Sequence, residues 1–199
     1  MIDLLVATSN PGKFAEVQAF LRRLPIRIHS LREFEHPPAV VEDGATFEAN
    51  ALKKARSLAD FSGLLTLADD SGLEVDALNG APGIYSARYC GEDCNDDDNN
   101  RKLLRELNSV AEARRSGRFV CALALCAPDR SIMADWIVRE SCEGIIAFAG
   151  KGTSGFGYDP LFFYPPLGKT FGEIDRQTKA MVSHRGKALK KLAEALRAG

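Results

Sequence analysis

Apolar and polar positions along the chain follow two different periods. Ile2 to Ala7 is almost continuously apolar, broken only by Asp3, and predicts a buried strand. After the polar stretch Thr8-Ser9-Asn10-Pro11-Gly12-Lys13, apolar residues recur at helical spacing: Phe14, Val17, Phe20, Leu21 and Leu24. Asn10 suits the cap of that helix and Pro11 its first position. Ile26 to His29 alternates as a short strand, and Pro37-Pro38 marks a loop. Thr46 can cap a longer helix from Phe47 to about Phe61, whose apolar face is Phe47, Ala51, Leu52, Ala55, Leu58 and Ala59. Leu64 to Ala68 then predicts a second buried strand. It stops at Asp69-Asp70-Ser71-Gly72, a composition that predicts a turn. Leu73, Val75 and Ala77 alternate as the next strand.

The second half reads similarly. Pro82-Gly83 implies a tight turn, and the cluster Asp96 to Asn100 precedes an amphipathic helix marked by Leu103, Leu104 and Leu107. Phe119 to Ala127 and Ile132 to Cys142 flank Pro128 to Ser131 as a β-hairpin, and Gly144 to Ala147 continue the sheet. Leu161 to Tyr164 is a short strand. The stretch Lys179 to Leu189 opens the C-terminal helix, with Ser183 as its cap. Strands and helices in this order predict an α/β fold with a central mixed β-sheet. The expected shape is a sheet pinched into two lobes with flanking helices and a cleft between them, forming one domain over residues 1–199.

Composition narrows the class. Apolar residues make up 45% and charged ones 27%, ordinary for a globular domain, and the net charge of -1 leaves no basic excess for nucleic acid. The N-terminus has no basic leader, and no apolar run is long enough to span a bilayer. Five cysteines with no C-x-x-C pair argue against a disulfide framework or zinc site, so a cytoplasmic protein is expected. Cys121 and Cys126 read as small core residues, and His29 and His36 as isolated surface residues.

Several polar stretches carry chemistry beyond folding. The turn Thr8 to Lys13 places hydroxyls, backbone N–H groups and a cation at a helix N-terminus, where phosphate can bind, although the P-loop spacing is absent. Asn50 and Lys54 share a helix face with Thr46 and either look inward at a polyanion or form an exposed polar pair. Asp69 and Asp70 repel each other and call for a compensating cation; Mg²⁺ often binds through one or two carboxylates plus substrate phosphates. The same residues also read as an Asp-rich turn. Phe156 between Gly155 and Gly157 offers a flat stacking face. Lys179, His184, Arg185 and Lys187 gather donors at a helix start, against the helix dipole, which implies an anion or a set of acceptors there. Tyr85, Arg88 and Tyr89 either pack on each other or line a site.

Cations for phosphates, carboxylates for a metal and an aromatic for a base match a nucleoside triphosphate. The chain resembles the non-canonical purine NTP pyrophosphatases, the inosine triphosphate or dITP/XTP pyrophosphatases. The resemblance rests on TSNPGK at Thr8 to Lys13, TFEANALKKA at Thr46 to Ala55, LADDSGLEVDAL at Leu67 to Leu78, GAPGIYSARY at Gly80 to Tyr89, GFGYDPLF at Gly155 to Phe162 and SHRGKAL at Ser183 to Leu189. It implies Mg²⁺-dependent hydrolysis of ITP, dITP and XTP to the monophosphate and pyrophosphate, cleansing the nucleotide pool, by a homodimer. It implies Asp70 as general base and metal ligand, with Glu42 as second ligand. It implies Thr8, Ser9, Asn10, Pro11, Gly12, Lys13, Lys54 and Ser71 as triphosphate contacts. Phe156, Gly157, Tyr158, Asp159, Lys179, His184 and Arg185 would bind the base. Spacing alone leaves Asp69 against Asp70, and Glu42 against Asp43, open. A nucleotide-binding module without turnover and a broader NTP pyrophosphatase are the alternatives.

Overall fold

The computed structural model describes residues 1–22, 24–129 and 134–198. The strands are β1 (Ile2–Ala7), β2 (Ile26–Ser30), β3 (Leu65–Val75), β4 (Ser116–Cys126), β5 (Trp136–Ile146), β6 (Phe162–Tyr164) and β7 (Lys169–Thr170). The helices are α1 (Pro11–Leu21), α2 (Phe47–Ser62), α3 (Asp96–Glu106), α4 (Arg176–Val182) and α5 (His184–Ala198). The strands form one sheet in the order β2-β1-β3-β4-β5-β6-β7. It is mixed: β1 pairs parallel with β2 and β3, whereas β6 pairs antiparallel with β5 and β7. The α/β class and the mixed sheet are as expected.

The chain divides into two compact units. The first comprises Met1–Asp70, Cys121–Glu140 and Gly186–Gly199. Its core gathers Leu4 and Val6 of β1, Val17 and Leu21 of α1, Leu67 of β3, alternate residues of β4 and the face of α5 carrying Ala188, Leu189 and Leu192. Parallel strands need cover on both faces, which explains why β1 reads as a continuous apolar run rather than an alternating one. The second unit comprises Ser71–Val120 and Ser141–Arg185. Leu73, Val75, Leu103, Phe119, Phe162 and Phe171 are central to its core, with the Phe119 and Phe162 ring centroids 4.5 Å apart.

Four expectations need correction. There is no turn at Asp69-Asp70-Ser71-Gly72: β3 runs unbroken through all four residues. The bare Cα of Gly72 explains this, because a Cβ there would stand 2.6 Å from the Gly83 carbonyl oxygen and against the Ser86 hydroxyl. The acidic cluster does not precede the third helix. Asp96, Asp97 and Asp98 are its first turn, behind an Asn95–Asp98 capping box, where carboxylates favour the dipole. Lys179 does not open the C-terminal helix but sits in the separate helix α4, capped by Asp175. Finally, His29 is not isolated: its ring nitrogens lie 2.8 Å from Asp3 and 3.0 Å from Glu33. The expected hairpin turn falls partly at residues 130–133, outside the described residues; its second strand is β5, from Trp136.

Candidate active site

In the first unit the polar residues meet around the ends of β1 and β3. Asn10 caps α1 by accepting hydrogen bonds from the Gly12 and Lys13 N–H groups at 2.8 and 3.0 Å. Those donors are committed to the cap, so the turn presents chiefly the Ser9 hydroxyl and the Lys13 ammonium. Lys13 Nζ is 2.8 Å from Asp69 Oδ1, and the Cys121 thiol donates to Asp69 Oδ2 at 3.3 Å. Both oxygens of the first aspartate are therefore occupied.

Asp70 differs sharply from its neighbour. It is 5% exposed, and its Oδ2 atom is buried with no hydrogen-bond partner. Burial pushes its pKa up to about 6, against the opposing charge of Lys13; Glu42 adds to the rise, while Asn50 and Lys54 oppose it. Asn50 is itself buried. Its carbonyl oxygen accepts from the Gly44 N–H at 2.7 Å, and its Nδ2 has no hydrogen bond of good geometry. Asn50 is thus turned inward, and Lys54 is mostly covered, rather than the two forming an exposed pair. Lys54 pairs with Glu42 and reaches the Asp69 carbonyl at 3.4 Å.

Glu42 and Asp43 have different surroundings. Asp43 is exposed and pairs with Lys53 at 2.6 Å, whereas the charge of Glu42 acts on Asp70. Among the described residues no group of three or more His, Cys, Asp or Glu is arranged to hold a metal. Two carboxylates, one with an unsatisfied buried oxygen, fit a hard cation that takes its remaining ligands from phosphate and water.

In the second unit the donors converge on Phe156. Lys179 Nζ lies 4.7 Å from the Phe156 ring centroid, and the Arg185 guanidinium carbon 5.6 Å from it. Asp159 holds this arrangement together: its Oδ2 is 2.5 Å from Lys179 Nζ and accepts from the Phe156 N–H at 2.9 Å. Gly155 makes room for it with φ +78°, since a Cβ there would collide with that same oxygen. Arg185 donates to the Ser71 hydroxyl at 2.7 Å, and His184 stacks on Phe119 at 4.8 Å between centroids.

Tyr158 is placed otherwise than a base contact requires. Its side chain is buried in the second core and its phenol donates to the Ser86 carbonyl at 2.8 Å, so it anchors the loop. Two loop-holding residues escaped sequence reasoning. The Asp96 carboxylate accepts from the Gly157 N–H at 2.6 Å, and Asn100 donates to the Gly157 carbonyl at 3.0 Å. No local signal marks them, because their partner is about 60 residues away in the chain. Arg88 stacks over Tyr85 at 5.3 Å, whereas Tyr89 packs against α3, with Lys102 Nζ 4.2 Å from its ring centroid and its phenol donating to Glu106.

Comparison with known proteins gives the family. The family model described as the Ham1 family matches residues 4–195. A dITP/XTP pyrophosphatase of Exiguobacterium sibiricum is 50% identical over 195 residues, covering 98% of this chain and 97% of the relative. One from Geobacter sulfurreducens is 50% identical over 196 residues, with 98% and 97% covered. Among solved structures, a HAM1 protein from Coxiella burnetii superposes with a TM-score of 0.90 at 41% identity, covering all of both chains. The Staphylococcus aureus Ham1 protein gives 0.87 at 36%, with 98% of each covered. The chain belongs to the Ham1 family.

Proposed function

We propose that the protein hydrolyses non-canonical purine nucleoside triphosphates, ITP, dITP and XTP, to the monophosphate and pyrophosphate. The observation that carries this reading is the buried Asp70 carboxylate, with an oxygen that bonds to nothing, set among Lys13, Lys54 and Glu42. The names of relatives 50% identical over nearly the whole chain support it.

The chemistry follows from these residues. Water attacks the α-phosphorus, its bond to the bridging oxygen breaks, and pyrophosphate departs. Asp70 takes the proton from the water. A carboxylate with a pKa near 6 is mostly ionised at neutral pH and is a stronger base than an ordinary one. Lys13 and Lys54 neutralise the negative charge that grows on the leaving group. Asp70 and Glu42 would hold Mg²⁺, which when bound supplies Lewis-acid polarisation of the phosphate oxygens.

Selectivity for the base follows from the donors in the second unit. Lys179 and Arg185 can only donate hydrogen bonds. A 6-keto purine stacked on Phe156 gives them an acceptor. A 6-amino purine leaves a buried donor unmatched, a penalty of roughly 1–3 kcal/mol. We also propose a homodimer in the cytoplasm, to be tested by light scattering and by cell fractionation. No helix among the described residues is long and apolar enough to cross a membrane.

The test is pyrophosphate release from ITP, XTP, dITP, GTP and ATP, with and without Mg²⁺. Strong Mg²⁺-dependent release from ITP, dITP and XTP, and weak release from ATP, is expected. Comparable kcat/KM for ATP and ITP would overturn the selectivity. Binding of ITP with no release would make the protein a nucleotide-binding module.

A further inference from the structure

We propose that Cys121 is a positioning residue for phosphate binding: its thiol fixes the plane of the Asp69 carboxylate, which in turn holds the Lys13 ammonium where the leaving phosphates bind. This role rests on the proposed function, in which Lys13 meets the triphosphate. All three residues belong to the first unit, and their contacts run outward from its core. The Cys121 thiol donates to Asp69 Oδ2 at 3.3 Å, and Lys13 Nζ lies 2.8 Å from Asp69 Oδ1. Cys121 is fully buried, Asp69 is 4% exposed and the Lys13 side chain 17%, so only the last member meets solvent.

A carboxylate held on one side turns readily about its last torsion, which is broad for Asp. Lys13 cannot fix it, because an ammonium on a flexible four-carbon stem follows its partner rather than setting it. The opposing contact comes from β4, the strand beside β3 in the sheet. Cys121, Leu123 and Leu125 alternate along β4 and enter the same core cluster as Leu67, two residues before Asp69 in β3. Cys121 therefore stands where an apolar core meets a polar site. A thiol suits both sides: it packs as a small hydrophobe and still offers one proton to the carboxylate. A purely apolar side chain would leave Oδ2 without this donor. The carboxylate would then turn towards Lys13 and draw the ammonium back from phosphate.

Cys126 supplies the contrast. It is as buried as Cys121 and lies in the same strand. Five residues along, it is on the opposite face of the sheet and about 16 Å away. Truncating either cysteine removes one sulfur from the same buried strand, but only Cys121 touches the carboxylate.

Two measurements test the role. The first is the infrared S–H stretch, which falls in frequency when a thiol donates to a carboxylate. A lowered band is expected in the parent, lost in Cys121→Ala and raised in Asp69→Ala. A parent without that band overturns the proposal, whether or not the protein hydrolyses ITP. The second is calorimetric binding of inorganic pyrophosphate, beside steady-state kinetics with ITP. Cys121→Ala is expected to raise the Kd for pyrophosphate and the KM for ITP about five-fold with kcat nearly unchanged, the worth of one hydrogen bond. Cys121→Ser keeps a donor and is expected to stay within about two-fold of the parent, and Cys126→Ala to match it. Unaltered pyrophosphate binding in Cys121→Ala overturns the positioning role. Equal weakening in Cys121→Ser or Cys126→Ala assigns the effect to packing and overturns it too. A parent that binds no pyrophosphate overturns the roles of Lys13 and Cys121 together. Binding that depends on Cys121 in a protein that releases no pyrophosphate from ITP would instead sink the proposed hydrolysis and leave the positioning role standing.

Discussion

Lys13 Nζ lies 2.8 Å from Asp69 Oδ1, so the first carboxylate of the Asp-Asp pair is matched by a cation. The second, Asp70, has a buried oxygen with no hydrogen bond. Successive residues of a strand face opposite ways, so adjacency in sequence gives these two groups different surroundings. One orients a lysine and the other is open to chemistry. Asp70→Asn is accordingly expected to lower kcat by about 10²–10⁴ for ITP, the usual worth of a positioned base. Asp69→Asn is expected to act mainly on KM by releasing Lys13. Steady-state kinetics of the two variants separate the roles, and full activity in Asp70→Asn would remove the assignment of the base.

The same burial makes Asp70 a source of pH-dependent stability. Its pKa rises from 3.8 to about 6 on folding. Between those values the native chain binds a proton that the unfolded chain has released, so stability falls as pH rises through that window and stays lower above it. The penalty at neutral pH is about 3 kcal/mol. With a chelator present, Asp70→Asn should melt about 9 °C higher than the parent at pH 7.5, with no difference below about pH 4. Thermal unfolding across this range gives the answer; a constant difference at all pH values would contradict the raised pKa.

Lys179 and Asp159 are a buried ion pair, 4% and 2% exposed. Removing one member leaves the other charge without its counter-ion in a dry site, at a cost of about 3–5 kcal/mol. Asp159→Asn should therefore lower stability by about 3 kcal/mol and raise the KM for ITP, because Asp159 also holds the Phe156 N–H. The double variant Lys179→Met/Asp159→Asn should regain part of the stability but not the KM. Urea denaturation and kinetics on the three proteins test both halves.

How far the sequence could be read depended on whether the deciding contact was local. Asn10 and Pro11 name the start of α1, and Thr46 that of α2, because a cap is a contact within one turn. The Asp70 motif was legible as chemistry but its shape was misread. Asp-Asp-Ser-Gly has the composition of a turn, and what keeps it extended is the Gly83–Ser86 segment lying against Gly72. Helix α4 merged with α5 in the sequence because the single extended residue between them, Ser183, interrupts neither the polar nor the apolar pattern. The Asp96 and Asn100 clamp on Gly157 depends wholly on tertiary packing.

Gly72 tests that account of β3. Its backbone faces Ser86, whose hydroxyl accepts from the Leu73 N–H at 2.8 Å and donates to the Gly83 carbonyl at 2.6 Å. A Cβ at Gly72 would meet the Ser86 side chain and the Gly83 carbonyl together, and a carbonyl cannot swing aside as a long side chain can. Gly72→Ala should cost about 2–4 kcal/mol, from overpacking and from loss of the Ser86 hydrogen bonds. Gly168→Ala provides the contrast. That residue has φ +62° but nothing within 4 Å of the place a methyl group would take, so only backbone strain of about 1 kcal/mol is expected. Displacement of β3 at Gly72 also moves its neighbour Ser71 away from Arg185, so Gly72→Ala should lose ITP hydrolysis even where it stays folded, whereas Gly168→Ala should keep it. Chemical denaturation gives the two stabilities and the ITP assay the two activities. Equal losses in both variants would mean that close packing at Gly72 is not what holds the strand straight.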